Sequence, residues 1–138
     1  MQSNSTTQTS FYEHGNTLFA DTFYCAVANA NGTLETKVAK RNDYGVWGIS
    51  VTLFDYADGM SYQILVVSPA GNMDLQLQNQ RPEEDVEIVV AEYQKQYITE
   101  SASMRLVMSI PELTYLEDVA MPNQIFGRIR FSFEVIAK

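Results

Sequence analysis

The sequence predicts a mainly β protein, an antiparallel β-sandwich or barrel of about eight strands with one packed α-helix at about residues 82–98. Apolar and polar residues alternate with a period of two through most of the chain, which is typical of half-buried strands. Asn-Gly and Asp-Gly pairs, which favour tight hairpin turns, separate the alternating stretches. A chain of 138 residues with 46% hydrophobic and 19% charged residues has the size and composition of one globular domain.

The N-terminal segment differs from the rest of the chain in composition. Residues 1–10 are rich in Ser, Thr, Gln and Asn, a composition that predicts a mobile tail unless contacts order it. We therefore predict a polar arm at 1–16, ordered by neighbouring subunits, followed by a single β-rich domain at 17–138. Phe11 and Tyr12 are the large apolar side chains of this arm, and we take them as candidate contacts.

The strands follow from the alternation, taken in chain order. The pairs Asn31-Gly32 and Asp58-Gly59 predict two hairpin turns, and residues 69–72 predict a third turn. Residues 64–67 are apolar at every position, which predicts a central strand covered on both faces. Of the about eight predicted strands, the alternation gives bounds for seven: 17–30, 33–40, 44–56, 60–68, 73–78, 104–110 and 125–135.

Residues 82–98 change period, and this change predicts the helix. Pro82 suits the first helical position, and acidic residues follow it where the helix dipole favours negative charge. The alternative is a strand, because the Val and Ile content of the segment is unfavourable for a helix. The residues at helical spacing are Val86, Val89, Val90, Tyr93 and Tyr97.

The composition excludes several classes of function. The formal charge is −8, which argues against nucleic-acid binding, because phosphates require cationic partners. The only histidine, His14, lies in a polar segment, and the only cysteine, Cys25, lies on the apolar face of a predicted strand. One His and one Cys cannot supply a His- and Cys-rich zinc site or a catalytic triad with supporting motifs. We predict no enzymatic activity, no catalytic residue, no cofactor and no bound metal.

The same sequence predicts a soluble protein without a membrane partner. No charged segment followed by an apolar one begins the chain, and the longest apolar run, 64–67, is far shorter than the ~20 residues of a membrane helix. A single cysteine fits folding in a reducing compartment. We expect the protein in a virion or in the host cytoplasm.

These exclusions favour a structural role over a catalytic one. We predict a subunit of a larger assembly that binds neighbouring protein subunits, most specifically a phage virion component such as a decoration, neck or tail protein. Tyrosines near the Asp58-Gly59 turn and two arginines on the last strand supply the remaining interface candidates. The candidate interface residues are Phe11, Tyr12, Tyr44, Tyr56, Tyr62, Arg128 and Arg130.

Two other functions remain open from the sequence. A soluble module that binds a carbohydrate or a small ligand would need an aromatic platform or an enclosed cavity. An acidic inhibitor of a nucleic-acid enzyme would need a continuous negative face that imitates phosphates. The acidic cluster that would contribute to such a face comprises Glu83, Glu84, Asp85 and Glu87.

Overall fold

The structure, a computed structural model, describes residues 3–77, 86–117, 119 and 121–138. Within these residues the chain forms nine strands in two separate sheets, with one helix, and the sheets enclose the main core. The predicted mainly β class is therefore confirmed, and the architecture is a sandwich. The elements are β1 (Ser5–Glu13), β2 (Ala20–Val27), β3 (Ala30–Asn42), β4 (Gly45–Asp55), β5 (Met60–Val67), α1 (Pro69–Leu77), β6 (Val86–Val90), β7 (Gln96–Glu100), β8 (Met104–Tyr115) and β9 (Phe126–Ala137).

The two sheets have four and five strands. The four-stranded sheet has the order β1-β9-β8-β7, and every pair is antiparallel. The five-stranded sheet has the order β2-β3-β4-β5-β6, in which the β5–β6 pair is parallel. The inner faces carry the alternate apolar residues of each strand; Phe131, Phe133 and Val135 of β9, for example, are buried. Period-two alternation thus decides which residues enter the core.

The helix lies in a different place from the predicted one. Residues 69–78 were predicted as a turn and a strand, but Pro69–Leu77 form α1. Ser68 caps the helix, since its Oγ accepts a hydrogen bond from the Gly71 amide at 3.0 Å, and Pro69 occupies the first turn. The parallel β5–β6 pair requires such a crossover connection. Leu75 closes a second, smaller core with Leu65 and Val67 on the outer face of the sheet.

The predicted helix at 82–98 is wrong for the residues that the structure describes. Those residues form β6 and most of β7, joined by a turn in which Gln94 has a φ of 64°. Residues 82–85 lie outside the described part. β6 is apolar at most positions because both of its faces are covered: Val89 packs against the main core, and Ile88 packs against the smaller core under α1. Together, these two short strands place their apolar residues at intervals that match those of a helix. Pairing with β5 nevertheless makes the first of them a strand.

The predicted N-terminal arm is also different in the structure. Ser5–Glu13 form the edge strand β1, which pairs in register with β9 of the same chain. Ser10 and Tyr12 are buried, and the Ser10 hydroxyl lies 2.8 Å from the Thr36 hydroxyl of β3. The segment is therefore ordered by its own sheet, since nine residue pairs with β9 satisfy its backbone groups without needing an apolar sequence.

The first predicted hairpin turn is displaced by three residues. Ala28 and Asn29 form the turn, with Ala28 at a φ of 48°, and Asn31 and Gly32 lie inside β3. Gly32 has another role, because a Cβ there would collide with the carbonyl oxygen of Phe54 on β4. The predicted turn at Asp58-Gly59 is correct, and Gly59 has a φ of 67°.

Candidate functional site

Two exposed tyrosines and one half-buried phenylalanine form a cluster on the outer face of the five-stranded sheet. Tyr24 of β2 and Phe54 of β4 lie in one row across the sheet, because both pair with Thr33 of β3. Tyr56 follows β4 directly; its ring centroid lies 5.6 Å from that of Phe54 and 6.4 Å from that of Tyr24. Tyr24 is 59% exposed and Tyr56 is 47% exposed. We call Tyr24, Phe54 and Tyr56 the aromatic patch.

Hydrogen bonds to one residue of β3, Asn31, hold the patch in place. The Asn31 side-chain amide donates to the Tyr24 hydroxyl at 3.1 Å, and the Asn31 carbonyl accepts from the Tyr56 amide at 3.1 Å. Both tyrosines are therefore oriented by a residue within the sheet. A preorganised pair of aromatic rings loses little conformational entropy on binding, which is favourable at an interface.

A buried carboxylate supports the turn below the patch. Asp55 is fully buried, and it accepts hydrogen bonds from the Ala57 amide at 2.8 Å and from the Ser103 amide and hydroxyl at 2.9 and 2.8 Å. Ser103 lies between β7 and β8, so these bonds join the two sheets. Burial raises the pKa of Asp55, but the hydrogen bonds that its carboxylate accepts outweigh it and lower the pKa to about 2.

Tyr62, a predicted interface residue, has a structural role at this end of the sandwich. Its ring is half-buried and packs against the main core, and its hydroxyl donates to Asp58 Oδ2 at 2.5 Å. This hydrogen bond lowers the pKa of Asp58 and raises the pKa of Tyr62. Tyr44 lies at the opposite end of β4 from Tyr56, so the predicted cluster of three tyrosines at one hairpin does not form.

Three other predicted residues meet on the outer face of the four-stranded sheet. The guanidinium carbons of Arg130 and Arg128 lie 4.4 and 5.3 Å from the centre of the Phe11 ring. Glu112 pairs with both arginines, at 3.0 Å from Arg128 and 3.4 Å from Arg130. The two predicted arginines therefore share a carboxylate partner within their own sheet. Tyr12, the remaining candidate, points into the core and is 2% exposed.

The sequence prediction missed Tyr24 and Phe54. A signal for Tyr24 was present, because the alternation of β2 places it on the face opposite Phe23 and Cys25, where a large aromatic side chain is unusual. Phe54 carries the same signal on β4, opposite the buried Leu53 and Asp55. Which outward aromatic residues share a row depends on strand register, which the alternation does not supply.

The chemically reactive residues lie apart from the patch. Cys25 is completely buried, and burial raises the pKa of its thiol. His14 is exposed in the loop after β1. Among the residues that the structure describes, no three His, Cys, Asp or Glu side chains are grouped as metal ligands. The helix in the described part of the chain is too short to cross a lipid bilayer.

Comparison with known proteins identifies no relative. The chain matches no protein-family model, and no significant match was found among curated proteins or among solved structures. The molecule is therefore defined by its own structure, as a nine-stranded β-sandwich, counted over the described residues, with an exposed aromatic patch.

Proposed function

We propose that this protein is a non-enzymatic subunit of a protein assembly, and that it binds a neighbouring subunit through the aromatic patch. The observation that carries this proposal is the preorganised aromatic patch on a rigid sheet, in which Tyr24 and Tyr56 are exposed. Tyrosine is enriched at protein interfaces because it offers a large rigid area with a polar end. The narrower form of the proposal, a phage virion subunit, rests on analogy with helix-bearing β-sandwich virion proteins.

The geometry of the rings favours a protein partner over a sugar. A sugar stacks on a flat aromatic face, but the Phe54 and Tyr56 rings meet edge-on at 65°, and Tyr24 is tilted from Tyr56 by 47°. Such a surface presents edges and hydroxyls that suit an irregular protein surface. The patch itself carries no charged side chain, so its burial would not require a charge to lose water.

The inhibitor alternative has less support. Three of its acidic residues, Glu83, Glu84 and Asp85, lie outside the described part of the chain. Glu87 is an exposed residue of β6. The helix-dipole explanation given for these acids does not apply to Glu87, since the residue lies in a strand.

Removing both exposed tyrosines of the patch is expected to weaken association. The double substitution Tyr24→Ser and Tyr56→Ser should raise the dissociation constant of the oligomer roughly thirtyfold, because the loss of about 1 kcal/mol at each truncated interface tyrosine sums to about 2 kcal/mol. Sedimentation equilibrium of the full chain over a range of concentrations measures this constant. The matched control is Tyr93→Ser with Ile98→Ser, which removes two similarly exposed large side chains outside the patch.

The outcomes separate the alternatives. Equal weakening by the two double variants would show that the patch is not the contact, and a wild-type protein that stays monomeric at high concentration would reject self-assembly. Binding of oligosaccharides that is lost in the Tyr24→Ser, Tyr56→Ser variant would support the carbohydrate alternative instead.

A further inference from the structure

β3 has a free edge at the end opposite the aromatic patch. The pairing of β2 with β3 stops at the pair Ala20–Lys37, whereas β3 continues to Asn42. Val38 and residues 40–42 therefore pair with β4, with register shifts between Val38 and Arg41, and have no partner on the β2 side in the sheet order that the structure describes. Unpaired strand edges are templates for the addition of another strand.

An open groove runs beside this free edge. Its other wall is the loop between β1 and β2, and the described backbone hydrogen bonds of that loop do not reach residues 38–42. The groove has a volume of about 470 Å³, and a second groove of about 310 Å³ continues it past Val38 and Arg41 toward Tyr44. Leu18, Phe19 and Val38 supply apolar lining, and Leu18 is 89% exposed.

Two cationic side chains line the groove on a protein that is otherwise strongly acidic. Lys37 and Arg41 line it, whereas Asp43 lines the second groove, beyond Arg41. Lys40 lines neither groove, and the stem of its side chain lies over Gly48. Within the described residues, no carboxylate lies at ion-pair distance from Lys40 or Arg41, whereas Lys37 pairs with Glu35. The formal charge of the whole chain is −8, so this local excess of cations is a specific feature of the groove.

We infer that this groove binds an extended acidic segment of a partner protein, which adds as a strand to residues 38–42 of β3. Backbone hydrogen bonds to the free edge would supply affinity, and the cations and the apolar lining would select a segment that alternates acidic and apolar residues. The same edge of a second copy is a poor occupant, because Lys37, Lys40 and Arg41 would meet their own equivalents. The site does not depend on the aromatic patch.

An acidic peptide tests this inference directly. A synthetic peptide of four Glu-Val repeats is titrated into the full-length ¹⁵N-labelled protein, with a peptide of four Lys-Val repeats as its control. We expect the acidic peptide to shift the amide signals of residues 38–42 and of the β1–β2 loop, with affinity that falls as salt rises. The basic peptide should leave these signals unchanged.

Charge variants complete the test. Arg41→Glu should weaken binding of the acidic peptide on the order of fivefold, as expected for reversal of one exposed charge, and Arg41→Lys should retain most of the affinity. Lys95→Glu is the control, since Lys95 is similarly exposed and lies in the β6–β7 turn. Equal binding of both peptides, shifts confined to the aromatic patch, or no binding at millimolar peptide would each overturn the inference. Shifts at 38–42 that arise from raising the protein concentration alone would identify a second copy as the occupant instead.

Discussion

Asp55→Asn is expected to lower the free energy of unfolding by about 3 kcal/mol at neutral pH. The carboxylate accepts three hydrogen bonds, from the Ala57 amide and from the amide and hydroxyl of Ser103. An asparagine side chain of the same shape places an NH₂ group where one oxygen accepts these bonds, so buried donors lose their acceptor, at a cost of about 1–3 kcal/mol each. Urea denaturation measures the change.

The matched control for this prediction is Asp58→Asn. Asp58 is only half-buried, and it accepts one hydrogen bond from Tyr62 and one from the Met60 amide. Its replacement should cost clearly less stability than that of Asp55, because water can reach the groups that it leaves. Similar losses in the two variants would contradict the central role given to Asp55.

The stabilisation by Asp55 should also depend on pH in a defined direction. The folded-state pKa is about 2, below the unfolded value of about 3.9, so folding favours the ionised form. The contribution is complete above about pH 5 and is lost as pH falls from about 4 toward 2. The stability difference between wild type and Asp55→Asn should therefore shrink over that range, and a difference that stays constant down to pH 2 would refute this assignment.

Gly32→Ala is expected to destabilise the protein by about 3 kcal/mol, near the upper end for overpacking a well-packed site. The added Cβ would collide with the Phe54 carbonyl oxygen and lie 2.9 Å from Cε of Met104. The carbonyl belongs to β4, which is paired with β3 and β5, so the backbone cannot move away without breaking the ladder. Thermal unfolding should show a fall in Tm of roughly 10 °C.

Gly59→Ala is the control variant for Gly32→Ala. Gly59 has a φ of 67°, and nothing lies within 4 Å of a Cβ added there. Its replacement should therefore cost only about 1 kcal/mol of left-handed backbone strain. The prediction for Gly32 fails if the two variants lose the same stability, because close strand approach would then contribute nothing beyond ordinary glycine effects.

Part of the candidate site was accessible from the sequence. Tyr56 was identified, and Phe11, Arg128 and Arg130 were placed in one candidate set that the structure brings together on one face. Their contact follows from the β1–β9 register, which no local pattern of a polar segment indicates. The aromatic patch was found only in part for the same reason, because its members come from β2, β4 and the turn after β4.

The helix shows where local signals were insufficient. Ser68-Pro69 is a helix-start signal in the sequence, and Val86–Val90 has the β-branched composition of a strand. In the prediction, these two signals were outweighed by the helical spacing within residues 82–98. Two neighbouring strands together produce that spacing. Only the parallel pairing of β5 with β6 shows that the segment between them must cross over, and that the helix therefore lies before β6.

The sequence alone determined the mainly β class, the covering of both faces of β5 and the inward face of β9, because alternation and burial act on each strand separately. The tertiary structure decided the edge strand β1, the position of α1, the row that joins Tyr24 to Phe54 and the free edge of β3. Each of these depends on which strands pair and in which register. Strand pairing is set by contacts between residues that are distant in the chain. The energies of these contacts cannot be inferred from a local sequence pattern.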